Sequence, residues 1–188
     1  MALQIGAKAP DFKTKDQDGN EVSLAGLKGK KFVLYFYPKD MTPGCTFEAC
    51  NLRDNYASLK KAGYEIFGIS SDNEKSHQKF IAKEKLPFRL LADTDKSVHG
   101  KFGTWVEKSM YGRKYMGTAR VTFVVDGNGV IENIIDKVDT RNHASQILGA
   151  PATVAAPKAS AKKAPAKKAA PKKAAKPAAK KKAAKKKK

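Results

Sequence analysis

The sequence predicts an α/β domain, a mixed central sheet flanked by helices, followed by a disordered basic tail. Unbroken apolar runs such as FVLYFY at 32–37 alternate with segments of helical period. The last such run, RVTFVVDGNGVIENII at 120–135, is an antiparallel hairpin with Asp126-Gly127-Asn128-Gly129 as its turn. The third observation is charge. All 18 acidic residues of the 188-residue chain precede position 150, whereas 151–188 holds 15 lysines and no acid. The net charge of +20 therefore divides into +15 for that tail and +5 for the first 150 residues, where 23 basic residues face 18 acidic ones. Two units follow: 1–149, of ordinary size for one core, and 150–188, rich in Lys, Ala and Pro.

Residues 11–24 alternate around Asp18-Gly19-Asn20, which predicts a first hairpin. The run at 32–37 shows no alternation, as expected of a central strand buried on both faces. Phe47, Ala49, Cys50, Leu52, Tyr56 and Leu59 then fall on one helical stripe that ends at Ala62-Gly63. YEIFGISS at 64–71 is a second buried strand, 73–85 a helix with Phe80 and Ile81 inward and Pro87 beyond its end, and FRLLAD at 88–93 a short strand. A turn or two of helix at 97–102, the hairpin at 120–135 and a short helix at 141–148 complete the domain. Strand–helix alternation closed by a hairpin gives a mixed sheet, in which ligands and chemistry gather at the carboxyl ends of strands.

That location holds the two cysteines of the chain, Cys45 and Cys50, in PKDMTPGCTFEAC. Two cysteines make no secreted disulfide scaffold, and a C-x4-C pair supplies half the thiolates of a four-cysteine zinc site. The start, MALQIGAKAPDF, has no basic segment leading into an apolar one, so a soluble cytoplasmic protein is the default. With a helix beginning near Pro43 or Gly44, Cys45 lies in its first turn, where free N–H groups and the positive dipole end favour a thiolate over a thiol. Thr42 sets a hydroxyl three residues earlier, able to donate to the sulfur or a bound oxygen, and Pro38 and Pro43 stiffen the loop. On one continuous helix, residues five apart have Cα atoms about 8–9 Å apart. A disulfide needs them within about 7 Å, so pairing Cys45 with Cys50 requires the helix to unwind.

The stretch YFYPKDMTPGCTFEAC resembles the peroxiredoxins, with Pro38, Thr42 and Cys45 at the spacing of their active loop. Cys50 points to the bacterioferritin comigratory protein, or peroxiredoxin Q, branch. APDF at 9–12, WVEK at 105–108 followed by MYGRKYMG, and ARVTFVVDGNG at 119–129 extend the likeness over about residues 3–148. One departure is Val121, where the family usually has a small hydroxyl residue. The resemblance implies a thioredoxin-like fold and a monomer. It implies reduction of hydrogen peroxide and organic hydroperoxides by a Cys45 thiolate, with Arg120 holding sulfur and peroxide oxygens and Glu48 orienting Arg120. Cys45 would become a sulfenic acid, Cys50 would condense with it to a disulfide, and thioredoxin or a similar dithiol would reduce that bond. No metal or organic cofactor is needed. His77, His99 and His143 are scattered away from the cysteine motif and are read as surface residues rather than ligands.

In the tail, Pro157, Pro165, Pro171 and Pro177 limit helical stretches to lengths that are marginal in water, and its lysines repel one another. It resembles the C-terminal tails of linker histones. Non-specific DNA or RNA binding is the leading expectation, through pairs and triplets such as Lys162, Lys163, Lys167, Lys168, Lys172, Lys173, Lys180, Lys181 and Lys182, with nucleoid association as its consequence. Plain solubilisation and weak attraction to anionic membrane are the bland alternatives. A nucleic-acid-binding protein that has lost its chemistry is disfavoured by the intact Pro38, Thr42, Cys45 and Arg120. A thiol-disulfide carrier would be expected to use C-x-x-C.

Overall fold

The run at 32–37 forms the centre of the sheet. The computed structural model describes residues 3–110 and 112–149, so the tail lies outside the described residues. Strand β3 (Lys31–Phe36) runs parallel to β4 (Tyr64–Ser70), which is parallel to β5 (Arg89–Ala92). On its other side β3 pairs antiparallel with β8 (Val121–Val125), and β8 with β9 (Ile131–Ile135). The first hairpin, β1 (Lys13–Asp16) and β2 (Glu21–Ser23), adds antiparallel to β5, giving the order β2-β1-β5-β4-β3-β8-β9. This is the expected mixed sheet.

Successive side chains from β3 through Tyr37, the residue after it, enter two different cores. Val33, Tyr35 and Tyr37 pack with residues of α1 (Pro43–Asp54), α2 (Tyr56–Lys61), α3 (Glu74–Glu84) and α5 (His143–Ile147). Phe32, Leu34 and Phe36 pack on the opposite face with Phe12 and with Val98 and Phe102 of α4 (Ser97–Phe102). Each fully buried side chain of this size contributes about 1.5–3 kcal/mol. Gly68 of β4 lies opposite Tyr35, and a Cβ there would meet the Tyr35 ring and Leu90 at 2.6 Å. Only glycine admits the phenol at that point.

Two features differ from the sequence reading. The helix expected to run unbroken to Ala62 is divided at Asn55, whose side chain donates to the Asn51 carbonyl at 2.8 Å and competes with the helical backbone. The segment after α4 forms a second, two-stranded sheet, β6 (Trp105–Met110) with β7 (Arg113–Thr118). Its solvated, charge-rich strands lack the apolar run that reveals a buried strand, and Tyr115 and Met116 stand exposed.

Candidate active site

The loop leaving β3 is anchored by a buried carboxylate. Asp40 accepts from Tyr37 Oη (2.7 Å) and Ser76 Oγ (2.6 Å), and pairs with His77 Nδ1 at 2.9 Å. Its backbone N–H donates to Asp72 Oδ2 at 2.8 Å. Burial alone would raise the Asp40 carboxyl, but His77, Ser76 and Tyr37 hold it below the usual range. Beyond this clamp the chain turns through Met41, at φ 58°, and enters α1 with Pro43 in the first turn, where a missing N–H costs nothing. Pro38 lies on the β3 side of the clamp. Thr42 occupies the N-cap position, yet its hydroxyl donates to the Lys39 carbonyl at 3.1 Å and neither caps the helix nor reaches the sulfur.

Cys45 is the third residue of α1, a buried free thiol at the positive end of the helix. Arg120, immediately ahead of β8, donates through Nη2 to Cys45 Sγ at 3.3 Å. Its other terminal nitrogen pairs with Glu48 Oε2. Glu48 lies about one helical turn after Cys45 and is fully buried. Burial pushes its carboxyl up to about 7 against the pull of Arg120. The second carboxylate oxygen faces His143 Nδ1 at 3.3 Å, and His143 Nε2 lies 2.9 Å from Thr122 Oγ1. Burial, reinforced by the Arg120 charge, pushes His143 down to about 3. The structure thus brings together Cys45, Arg120 and Glu48, with Pro38 and Thr42 in the adjoining loop.

The reading of the three histidines as surface residues is corrected, since all are fully buried. Each finds polar partners: His77 pairs with Asp40, and His143 faces Glu48 and Thr122. His99 Nδ1 lies 2.5 Å from Asp93, and its Nε2 3.0 Å from Thr118 Oγ1 of β7. Burial would raise Asp93, but bonds from the His99 side chain and from the His99 and Val98 backbones hold it at about 2. Nor is His143 remote from the cysteine motif. Sequence reasoning passed over it and Thr122 because nothing local marks them: Glu48, which His143 faces, comes from α1, and Thr122, which meets the other ring nitrogen, comes from β8.

Cys50 is half-buried in the same helix, with Sγ 3.6 Å from Glu84 Oε2 of α3. Burial raises this thiol, and Glu84 acts in the same direction against Arg53. Arg53 in turn donates to the Glu84 carbonyl at 2.6 Å. Lys108 of β6 donates to the Thr118 carbonyl at 2.5 Å, and burial together with the Arg120 charge lowers its ammonium. Among the described residues no group of three or more His, Cys, Asp or Glu side chains is placed to hold a metal ion, and no helix is long and apolar enough to cross a membrane.

The AhpC/TSA family profile matches residues 5–134. Peroxiredoxin Bcp of Escherichia coli K12 is 47% identical over 146 residues, covering 78% of this chain and 94% of that protein. Peroxiredoxin Bcp of Bacillus subtilis 168 is 43% identical over 148 residues, covering 79% and 94%. A solved structure of the Xanthomonas campestris bacterioferritin comigratory protein, described for its alkyl peroxide reduction activity, superposes with a TM-score of 0.70 at 35% identity, covering 74% of this chain and 88% of that one.

Proposed function

The chain belongs to the AhpC/TSA family, as a thioredoxin-fold peroxiredoxin of the Bcp/PrxQ group and therefore a thiol peroxidase, and we propose that Cys45 is its nucleophile and Cys50 its resolving thiol. The observation that carries the assignment is the Arg120 guanidinium 3.3 Å from Cys45 Sγ, braced from behind by buried Glu48. A permanent, planar cation so placed stabilises a thiolate and can turn a second N–H to an oxygen arriving on the sulfur.

The Cys45 thiolate attacks the terminal oxygen of ROOH. The S–O bond forms, the O–O bond breaks, Cys45 becomes the sulfenic acid, and RO⁻ leaves as ROH after taking one proton. Arg120 and Thr42 donate to the charge building on the oxygens, Thr42 releasing the Lys39 carbonyl to do so. The Cys50 thiol then displaces water from the sulfenic acid to give the disulfide. Five positions along α1 leave the Cα atoms about 8–9 Å apart, so the start of α1 must unwind. The Asp40 clamp supports a hinge at Met41, since it pins the chain on one side only. A thioredoxin-like dithiol returns both cysteines to thiols.

Residues 1–149 carry this chemistry, as a monomer, in the cytoplasm. The tail, 150–188, holds the enzyme on DNA or RNA by charge alone, which its 15 lysines without one acid support. Peroxide consumption by three proteins tests the catalytic assignment. Cys45→Ser should be inactive, while Cys50→Ser should consume about one equivalent per chain and then stall. Thioredoxin-driven turnover of Cys50→Ser at the wild-type rate would remove Cys50 as the resolving residue.

A further inference from the structure

Glu48 Oε1 and His143 Nδ1 face each other at 3.3 Å, both wholly buried, and neither has a well-aligned hydrogen-bond partner. One proton between them satisfies both atoms, and it can belong to either. A neutral imidazole carries a single ring proton. With that proton on Nδ1, His143 donates to an ionised Glu48 and accepts the Thr122 hydroxyl proton at Nε2. With it on Nε2, His143 donates to Thr122 Oγ1, and its bare Nδ1 accepts from a protonated Glu48. The second arrangement holds one proton more than the first, yet both satisfy the two orphaned atoms.

Charge decides when each is favoured. Arg120 is always a cation. With Cys45 a thiol and Glu48 ionised, the cluster is neutral; with Cys45 a thiolate and Glu48 protonated, it is neutral again. Thiolate and carboxylate together leave an unbalanced negative charge in a buried site, which is costly. The other titratable groups facing the cluster are the buried Tyr35 phenol on β3, whose ring packs edge-on against His143, and Asp139 ahead of α5, with Lys108 toward the sulfur.

We propose that the file Glu48–His143–Thr122 takes up one proton as Cys45 gives one up, with His143 the positioning residue whose tautomer lets Glu48 occupy both states while Arg120 stays on the sulfur. The inference rests on Cys45 being the nucleophile. The stored proton equals the one the leaving group needs: Cys45–S⁻, ROOH and protonated Glu48 become Cys45–SOH, ROH and ionised Glu48, with atoms and charge balanced. Once the sulfenic acid has formed, ionised Glu48 regains full hold of Arg120 and frees the sulfur for Cys50.

Infrared spectroscopy of the reduced full-length chain across pH tests this through the C=O stretch of a protonated buried carboxyl. The expected band titrates near neutrality and is missing in Glu48→Gln. In Cys45→Ser no thiolate forms, so the midpoint should fall by about one to three pH units, the size of a nearby-charge effect. In Thr122→Val the ring proton should settle on Nδ1, because a buried N–H without an acceptor is harder to tolerate than a bare nitrogen, and the midpoint should again fall. A purely structural role for His143 leaves the Thr122→Val midpoint at the wild-type value, and that result overturns the positioning role. A Glu48 band absent from wild type, or one unmoved in Cys45→Ser, overturns the inference while single-turnover peroxide reduction by wild type leaves the nucleophile assignment standing. Peroxide reduction that survives in Cys45→Ser overturns the nucleophile assignment itself and this inference with it.

Discussion

Replacing Arg120 with methionine keeps an unbranched apolar stem and removes the guanidinium with its charge and donors. The lost contact is the 3.3 Å bond to Cys45 Sγ, and loss of one preorganised donor of this kind slows a reaction by about 10²–10³, or about 2.7–4 kcal/mol of barrier. The second consequence falls on Glu48, left buried without its cation. An uncompensated buried charge costs about 3–5 kcal/mol, but a carboxyl already pushed up to about 7 escapes that cost by protonating. The stability loss should therefore be small at about pH 6 and grow at about pH 8, because removing Arg120 raises the Glu48 carboxyl further and keeping it ionised becomes harder. Stopped-flow measurement of the single-turnover rate constant, with urea unfolding at the two pH values, reads both effects. A rate within about threefold of wild type, less than 1 kcal/mol of barrier, would refute the role given to Arg120.

The buried Glu48–His143 pair should make opposite contributions to stability. Glu48 is raised from 4.5 to about 7, so its contribution falls as pH rises through that window; His143 is lowered from 6.5 to about 3, so its contribution rises from pH 3 to 6.5. Between 4.5 and 6.5 the two offset, each at about 1.4 kcal/mol per pH unit, and urea titrations should show a rising slope there in Glu48→Gln and a falling one in His143→Gln. If the disulfide forms by unwinding, amide exchange at residues 45–52 should be much faster in oxidised than in reduced protein; equal protection contradicts the step. Deleting 151–188, which carries +15, should abolish binding to duplex DNA and leave peroxidase activity near wild type. Full-length affinity should fall about 10³–10⁵-fold between about 50 and 200 mM salt if six to ten lysines engage phosphates, and salt-insensitive binding would leave the tail a solubility element.

Where the sequence was legible, one local pattern carried the information. The unbroken run at 32–37 became β3, and the Asp126 turn, with its carboxylate accepting from the Asn128 and Val130 N–H groups, became the β8–β9 connection. Cys45 and Arg120 were readable as a pair through family resemblance, and the structure sets them in contact. The β6–β7 ribbon was invisible because solvated strands need no apolar face. The division at Asn55 turns on one side-chain hydrogen bond that helical periodicity does not encode. The histidines were misread for a different reason: the packing that buries each ring, and most of the carboxylates and hydroxyls that pair with its nitrogens, are brought in by the fold and leave no mark on the residues beside it.

Peptide mass mapping of the reduced protein after one equivalent of peroxide tests the central claim most directly. Trypsin cleavage after Lys39 and Arg53 releases 40–53, DMTPGCTFEACNLR, which carries both cysteines. The account predicts that this peptide loses two hydrogens in wild type and becomes a sulfenic acid at Cys45 in Cys50→Ser. A wild-type peptide that keeps both thiols, or is found only cross-linked to a second chain, would contradict it.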